Sequence, residues 1–219
     1  MLLDADDSQL VLVDYQTRLM PAIFENSLVI ANAVRLARMA KLLEVPVWAT
    51  AENPEKLGAN VAEIHAAVEA AGGRTLSKMH FSAVADGLGD WLRPPVQKQP
   101  ARAQGSSGGG NARSLPKHLQ RQQQRQEEEE EPEGRSTIVI AGCEAHVCLM
   151  QTALDLLEEE FEVWVVTDAC SSRSERNRDA AFDRLAGNGA ELVTTEMVAF
   201  EWLRTAEHGL FRDVLALMK

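Results

Sequence analysis

Short apolar runs recur along the chain, and each is closed by a polar or small residue. Leu10-Val11-Leu12-Val13 runs into Asp14, and Pro46-Val47-Trp48-Ala49 runs into Thr50. Ile138-Val139-Ile140-Ala141 meets Gly142, and Val163-Trp164-Val165-Val166 meets Thr167-Asp168. Unbroken runs of this kind lack the period-two alternation of a half-exposed strand. They predict strands buried on both faces, as in a parallel sheet. Weaker runs at Thr75–Lys78 and Ala190–Thr194 predict a short strand and a last one.

Between these runs the apolar positions move to helical spacing. Helices are expected from Ser27, read as the N-cap, to Leu43, and weakly over 61–71, stopped by Gly72-Gly73. Others are expected over 84–92, from the turn after Gly142 to about Glu160, and over 176–186, closed by Gly187. A helix capped by Thr195 should run to Leu203, and an amphipathic segment should cover 210–218. Strands alternating with helices require right-handed crossovers, and no internal repeat is present. The fold class that follows is α/β: a three-layer, doubly wound, mostly parallel sheet with helices on both faces.

Residues 93–135 break the alternation. They contain Pro94-Pro95, Gly105-Ser106-Ser107-Gly108-Gly109-Gly110, a Gln/Arg tract at 120–126 and the acidic run Glu127–Glu131, with few large apolar residues. Such a segment buries too little surface to offset an ordering cost of roughly 1–2 kcal/mol per residue. It reads as a disordered insertion in one domain spanning 1–219, with 120–131 transiently helical.

Composition narrows the function classes. A chain of 219 residues that is 45% hydrophobic can build one α/β domain with a sizeable core. A formal charge of −11 argues against a nucleic-acid partner, even though the glutamate run supplies part of it. Three cysteines do not make a disulfide framework. The start, Met1-Leu2-Leu3-Asp4-Ala5-Asp6-Asp7, lacks the features of a signal peptide, and no apolar run approaches the ~18 residues of a membrane span. The expectation is a cytoplasmic protein with no membrane association.

Candidate chemistry gathers at the carboxyl ends of the strands, where open α/β sheets bind ligands. Asp14 and Lys78 end two strands, and Cys148 follows the Ile138–Gly142 strand at the start of a helix. A helix start favours a thiolate over a thiol. Cys148 would then be a nucleophile, Asp14 the base that takes its proton, and Lys78 the cation that keeps both ionised. Backbone N–H groups of the Gly142–Cys148 turn would hold an oxyanion. Cys143, His146 and Cys148 do not make a closed zinc site, which needs four ligands, so no metal and no cofactor are expected.

The segments Leu12-Val13-Asp14-Tyr15-Gln16, Lys78-Met79-His80-Phe81-Ser82 and Ala141-Gly142-Cys143-Glu144-Ala145-His146-Val147-Cys148-Leu149-Met150-Gln151-Thr152-Ala153 resemble those of the isochorismatase-like cysteine hydrolases. Asp168-Ala169-Cys170-Ser171-Ser172-Arg173 and Thr194-Thr195-Glu196-Met197-Val198 match as well, in the branch with the Glu-Ala-His-Val-Cys turn. The resemblance implies an Asp-Lys-Cys triad at Asp14, Lys78 and Cys148. It also implies a cis peptide between Cys143 and Glu144, and oxyanion donors at the N–H groups of Glu144 and Cys148. Gln16, Phe81 and His146 would line the substrate pocket. Substrates would be small amides, carbamoyl compounds or a vinyl ether, and the protein would form a homo-oligomer.

Two segments depart from the branch pattern. Thr50-Ala51-Glu52-Asn53-Pro54 stands where relatives tend to read Thr-Glu-Gln-Tyr-Pro, and Ser77-Lys78-Met79 where they read Glu-Lys-Thr. The metal-binding Asp-x-His of nicotinamidases has no counterpart here. The leading expectation is a metal-independent cysteine hydrolase. A non-catalytic binding or regulatory module on the same fold is the alternative, and a thiol redox protein using Cys143 and Cys148 is a third.

Overall fold

The computed structural model describes residues 1–93 and 134–219. Six strands form one sheet: β1 (Ser8–Val13), β2 (Val47–Glu52), β3 (Arg74–Lys78), β4 (Thr137–Gly142), β5 (Glu162–Val166) and β6 (Glu191–Val193). The spatial order is β3-β2-β1-β4-β5-β6, and every pairing is parallel. This is a doubly wound sheet, with its topological switch point between β1 and β4. The buried runs became strands because both faces are covered: β1 and β4 are buried at every position.

Among the described residues eight helices complete the layers: α1 (Asn26–Leu42), α2 (Pro54–Leu57), α3 (Ala62–Ala70), α4 (Leu88–Leu92), α5 (Met150–Glu158), α6 (Glu175–Gly187), α7 (Thr195–Leu203) and α8 (Phe211–Met218). α1 packs with α3, α7 and α8, while α5 packs with α6 and β5. The direction of winding reverses at the switch point, so right-handed crossovers put these two groups on opposite faces. Leu12, Leu36, Ile140 and Leu149 are fully buried in the core between them.

Two helix starts differ from the expected caps. Glu25, not Ser27, precedes α1; its φ of +54° turns its carbonyl to the N–H groups of Leu28 and Val29. Thr194, not Thr195, caps α7, accepting from the Met197 N–H. Thr195 is already engaged, because its N–H and hydroxyl both donate to Asp168 Oδ1 at 2.8 and 2.9 Å. The expected helix over 84–92 divides into a 3₁₀ turn and α4, separated by Gly87 at φ +92°. Trp164 lies in the core as expected. Trp48 is only half buried, stacking on Trp91 with centroids 5.7 Å apart while Arg74 lies over both rings.

At the amino end of the sheet, Gln9 is buried on β1. Its amide donates to the carbonyls of Leu92 (3.0 Å) and Arg135 (3.2 Å) and accepts from Trp48 Nε1. Of the disordered insertion predicted at 93–135, residues 94–133, with the helical tendency at 120–131, lie outside the described residues, while Arg93 and Arg135 at its ends are held, donating to the carbonyls of Glu159 and Ala5 at 2.7 and 2.6 Å. No helix among the described residues is long and apolar enough to cross a membrane.

Candidate active site

β1 ends at Val13, and the chain leaves the sheet at Asp14 with a φ of +55°. This left-handed conformation is costly for most L residues and less so for Asp. The Gln16 N–H closes the turn on the Asp14 carbonyl at 2.9 Å. The carboxylate is thereby carried over the end of β2. There Thr50 Oγ1 (2.7 Å) and the Glu52 N–H (3.1 Å) donate to Oδ1.

The other oxygen, Oδ2, lies 2.8 Å from Lys78 Nζ. Parallel register puts Lys78 of β3 beside Glu52 of β2, and the same ammonium lies 2.8 Å from Glu52 Oε2. It also donates to the carbonyls of His80 (3.2 Å) and Phe81 (3.1 Å). Its side chain is 0% exposed. A buried cation with this many acceptors has replaced its hydration shell with fixed ligands. Burial pulls the Lys78 pKa down, but the Asp14 charge and the hydrogen bonds to Asp14 and Glu52 prevail, holding it above its usual value.

The thiol arrives from the other side of the switch point. Gly142 passes so close to β1 that a Cβ there would lie 2.4 Å from the Val13 carbonyl oxygen, which reserves the position for glycine. The Cys143 N–H then donates to that carbonyl at 2.9 Å, and the Cys143–Glu144 peptide is cis. Ala145–Leu149 forms a π-helical turn before α5, and Cys148 sits within it. An oxygen of Asp14, an oxygen of Glu52 and Cys148 Sγ all lie within 4.8 Å of one another. A metal ion could bridge that spacing, but the Lys78 ammonium already lies against both carboxylates.

The surroundings of the thiol work against the thiolate that a helix start favours. Burial first, and the Asp14 charge after it, push the Cys148 pKa upward more than Lys78 pulls it down. Burial also pushes Cys143 up to about 12 and Cys170 well above the usual thiol value.

A cavity of about 340 Å³ opens over these groups. Asp14, Glu52, Cys148 and Glu144 supply its polar wall, while Leu19, Leu57, Phe81 and Val147 supply apolar surface. Arg18 and Arg173, both largely solvent-exposed, complete it.

Of the three expected pocket-lining residues, Phe81 borders this cavity, and Gln16 and His146 do not. The Gln16 amide is fully buried, donating to the carbonyls of Glu52 (2.8 Å) and Gly58 (2.6 Å) and accepting from the Glu52 N–H (3.0 Å). It fixes the end of β2. His146 points away, meeting Ser172 Oγ at 3.0 Å and the Asn177 amide at 3.2 Å.

His146 belongs to a brace between the thiol-bearing turn and the segment after β5. The Ala145 N–H donates to Ser171 O at 2.7 Å, and the Glu144 carboxylate accepts from the N–H and Nε of Arg173 at 3.1 and 2.9 Å. Among the charged groups at this cavity, sequence reasoning missed Arg18, Arg173 and, nearest the thiol, Glu52. Its signal was an acid ending a buried strand, as Asp14 ends β1, but only the register beside Lys78 gives it a site.

The chain matches the isochorismatase domain over residues 8–96 and 122–197. It is 31% identical to isochorismatase domain-containing protein 2 of Rattus norvegicus over 214 residues, 98% of this chain and 82% of that protein. The protein of the same name in Xenopus laevis is 33% identical over 207 residues, covering 94% and 81%. Among solved structures, one described as the MAR1 ribonuclease from Caenorhabditis elegans aligns with a TM-score of 0.74 at 25% identity, covering 100% of this chain and 92% of that one.

Proposed function

Since the chain belongs to the isochorismatase domain family, we propose that it is a cysteine hydrolase of small amide or carbamoyl substrates, acting as one catalytic domain. The observation that supports this most directly is the meeting of Asp14 and Cys148 at one cavity, with Lys78 bound to Asp14 behind it, from three segments far apart in sequence.

The reaction begins from a neutral thiol. Cys148 Sγ attacks the substrate carbonyl carbon while its proton passes to the Asp14 carboxylate, so no free thiolate accumulates. The carbonyl oxygen becomes an oxyanion and accepts from the N–H groups of Glu144 and Cys148. Collapse breaks the C–N bond, and the amine leaves with the proton held by Asp14. The remaining thioester is hydrolysed by water, whose proton goes first to Asp14 and then to Cys148 as the thiol reforms. Lys78 does not transfer a proton in this scheme. It stays charged, holds Asp14 in place and keeps it ionised between steps.

Mass spectrometry after incubation with a panel of amides and carbamates tests the proposal. The expected result is an acyl adduct on Cys148 and no turnover by a folded Cys148→Ala protein. Equal turnover by Cys148→Ala would overturn it.

A further inference from the structure

Glu52 is not needed by the reaction just described, yet it is held at its centre. Its backbone is fixed at the end of β2, with the N–H shared between Asp14 Oδ1 (3.1 Å) and Gln16 Oε1 (3.0 Å) and the carbonyl accepting from Gln16 at 2.8 Å. One carboxylate oxygen, Oε2, is bound to Lys78. Among the described residues the other, Oε1, has no partner, and the side chain keeps 10% exposure while bordering the cavity. The residue borders the cavity, and one of its carboxylate oxygens lies within 4.8 Å of Cys148 Sγ.

We propose that Glu52 is a specificity-determining residue that selects substrates carrying an N–H donor beside the reacting carbonyl. The class is therefore primary carboxamides and ureido compounds, not esters or vinyl ethers. This rests on the reading of Cys148 as nucleophile and narrows it.

The chemistry follows from the donor inventory. An ionised carboxylate only accepts, so Oε1 attracts an amide N–H and repels the lone pairs of an ester or ether oxygen in the same place. A hydrogen bond to a charged group in a water-poor site discriminates strongly, because the wrong substrate leaves the acceptor unpaired.

Lys78 also fixes what a substitution would do. The ammonium has only donors, so in Glu52→Gln it must take the amide oxygen. The NH2 group is then turned toward the cavity. The variant would present a donor where the wild type presents an acceptor, and the preference should invert rather than merely weaken.

The test uses two small alkylating agents, iodoacetamide and methyl iodoacetate, with rates at Cys148 read by peptide mass mapping and normalised to glutathione. Wild type should favour the amide reagent by about 10- to 100-fold over the glutathione ratio, the worth of one charge-assisted hydrogen bond. Glu52→Gln should bring that ratio to one or below. A purely structural Glu52 would slow both reagents equally and leave the ratio untouched, which would overturn the proposal.

If Glu52→Gln does not fold, the wild-type ratio alone decides, since a value equal to that of glutathione has the same force. Should Cys148→Ala keep full turnover, the nucleophile reading itself fails and this inference fails with it, whereas a glutathione-like ratio at Cys148 removes this inference alone. The two failures are thus distinguishable.

Discussion

β1 carries an aspartate at each end, and the two are treated in opposite ways. Asp7, at the amino end, is half exposed and surrounded by neutral donors: the Ser136 N–H and hydroxyl at 2.8 Å each and the Thr137 hydroxyl at 2.6 Å. Burial works against its charge, but these bonds and the nearby Arg135 hold its pKa below the usual 3.8. Asp14, at the carboxyl end, is fully buried and shares a lysine with a second carboxylate. The first acid locks β1 to the start of β4. The second sits in a left-handed turn beside a thiol whose proton it discourages from leaving. Two residues of one type, separated by a single strand, show that carboxylate chemistry here is set by what faces it, solvent and hydroxyls or an enclosed cation.

The largest effect should come from Asp14→Asn. If Asp14 is the base, turnover falls about 100- to 10,000-fold, the usual contribution of a general base. The same change removes the negative charge that raises the Cys148 pKa, so iodoacetamide at pH 8 should modify the thiol faster than in wild type. Turnover and alkylation moving in opposite directions is the signature. A parallel fall in both would mean that Asp14 only supports the fold.

Lys78→Met comes next. Two carboxylates would lose their buried counter-ion, and urea denaturation should show a loss of about 3–5 kcal/mol. A loss below 1 kcal/mol would mean that the pair is far more hydrated than its 0% exposure implies.

Asp7→Ala sharpens the contrast with the smallest effect. Its loss should cost about 1–3 kcal/mol and leave kcat/KM within about twofold, since the site lies at the far end of the sheet. The folded-state pKa is lowered, so the stabilisation is present above 3.8 and is lost as pH falls through the folded value. Wild type and variant should therefore converge in strongly acid solution. A large change in kcat/KM would show that the two ends of β1 communicate.

The parts of this molecule legible in its sequence are those written in contiguous residues. Runs such as Leu10–Val13 and Ile138–Ala141 announce buried parallel strands, and the strand ends announce Asp14, Lys78 and Cys148. What was not legible depends on pairing between segments. Glu52 gains its place only when the register sets it beside Lys78. Gln16 and His146 looked like pocket residues because they adjoin Asp14 and Cys148 in sequence, yet one braces β2 and the other meets Ser172 and Asn177. The cap of α7 shifted to Thr194 for a similar reason, since a partner distant in sequence, Asp168, had already claimed Thr195. The pull on the thiol pKa also runs opposite to the local signal, because a helix start is a local feature and burial beside Asp14 is not.

The Gln9 amide spans the carbonyls of Leu92 and Arg135, the two points between which the chain departs and returns. One side chain thus ties together the two points where the described chain stops and resumes, whatever contour length runs between them. The entropic cost of such closure grows with the logarithm of length, about 0.6 kcal/mol for each doubling. A protein anchored this way can gain or shed tens of residues at that point in the course of descent without shifting the register of β1 against β4.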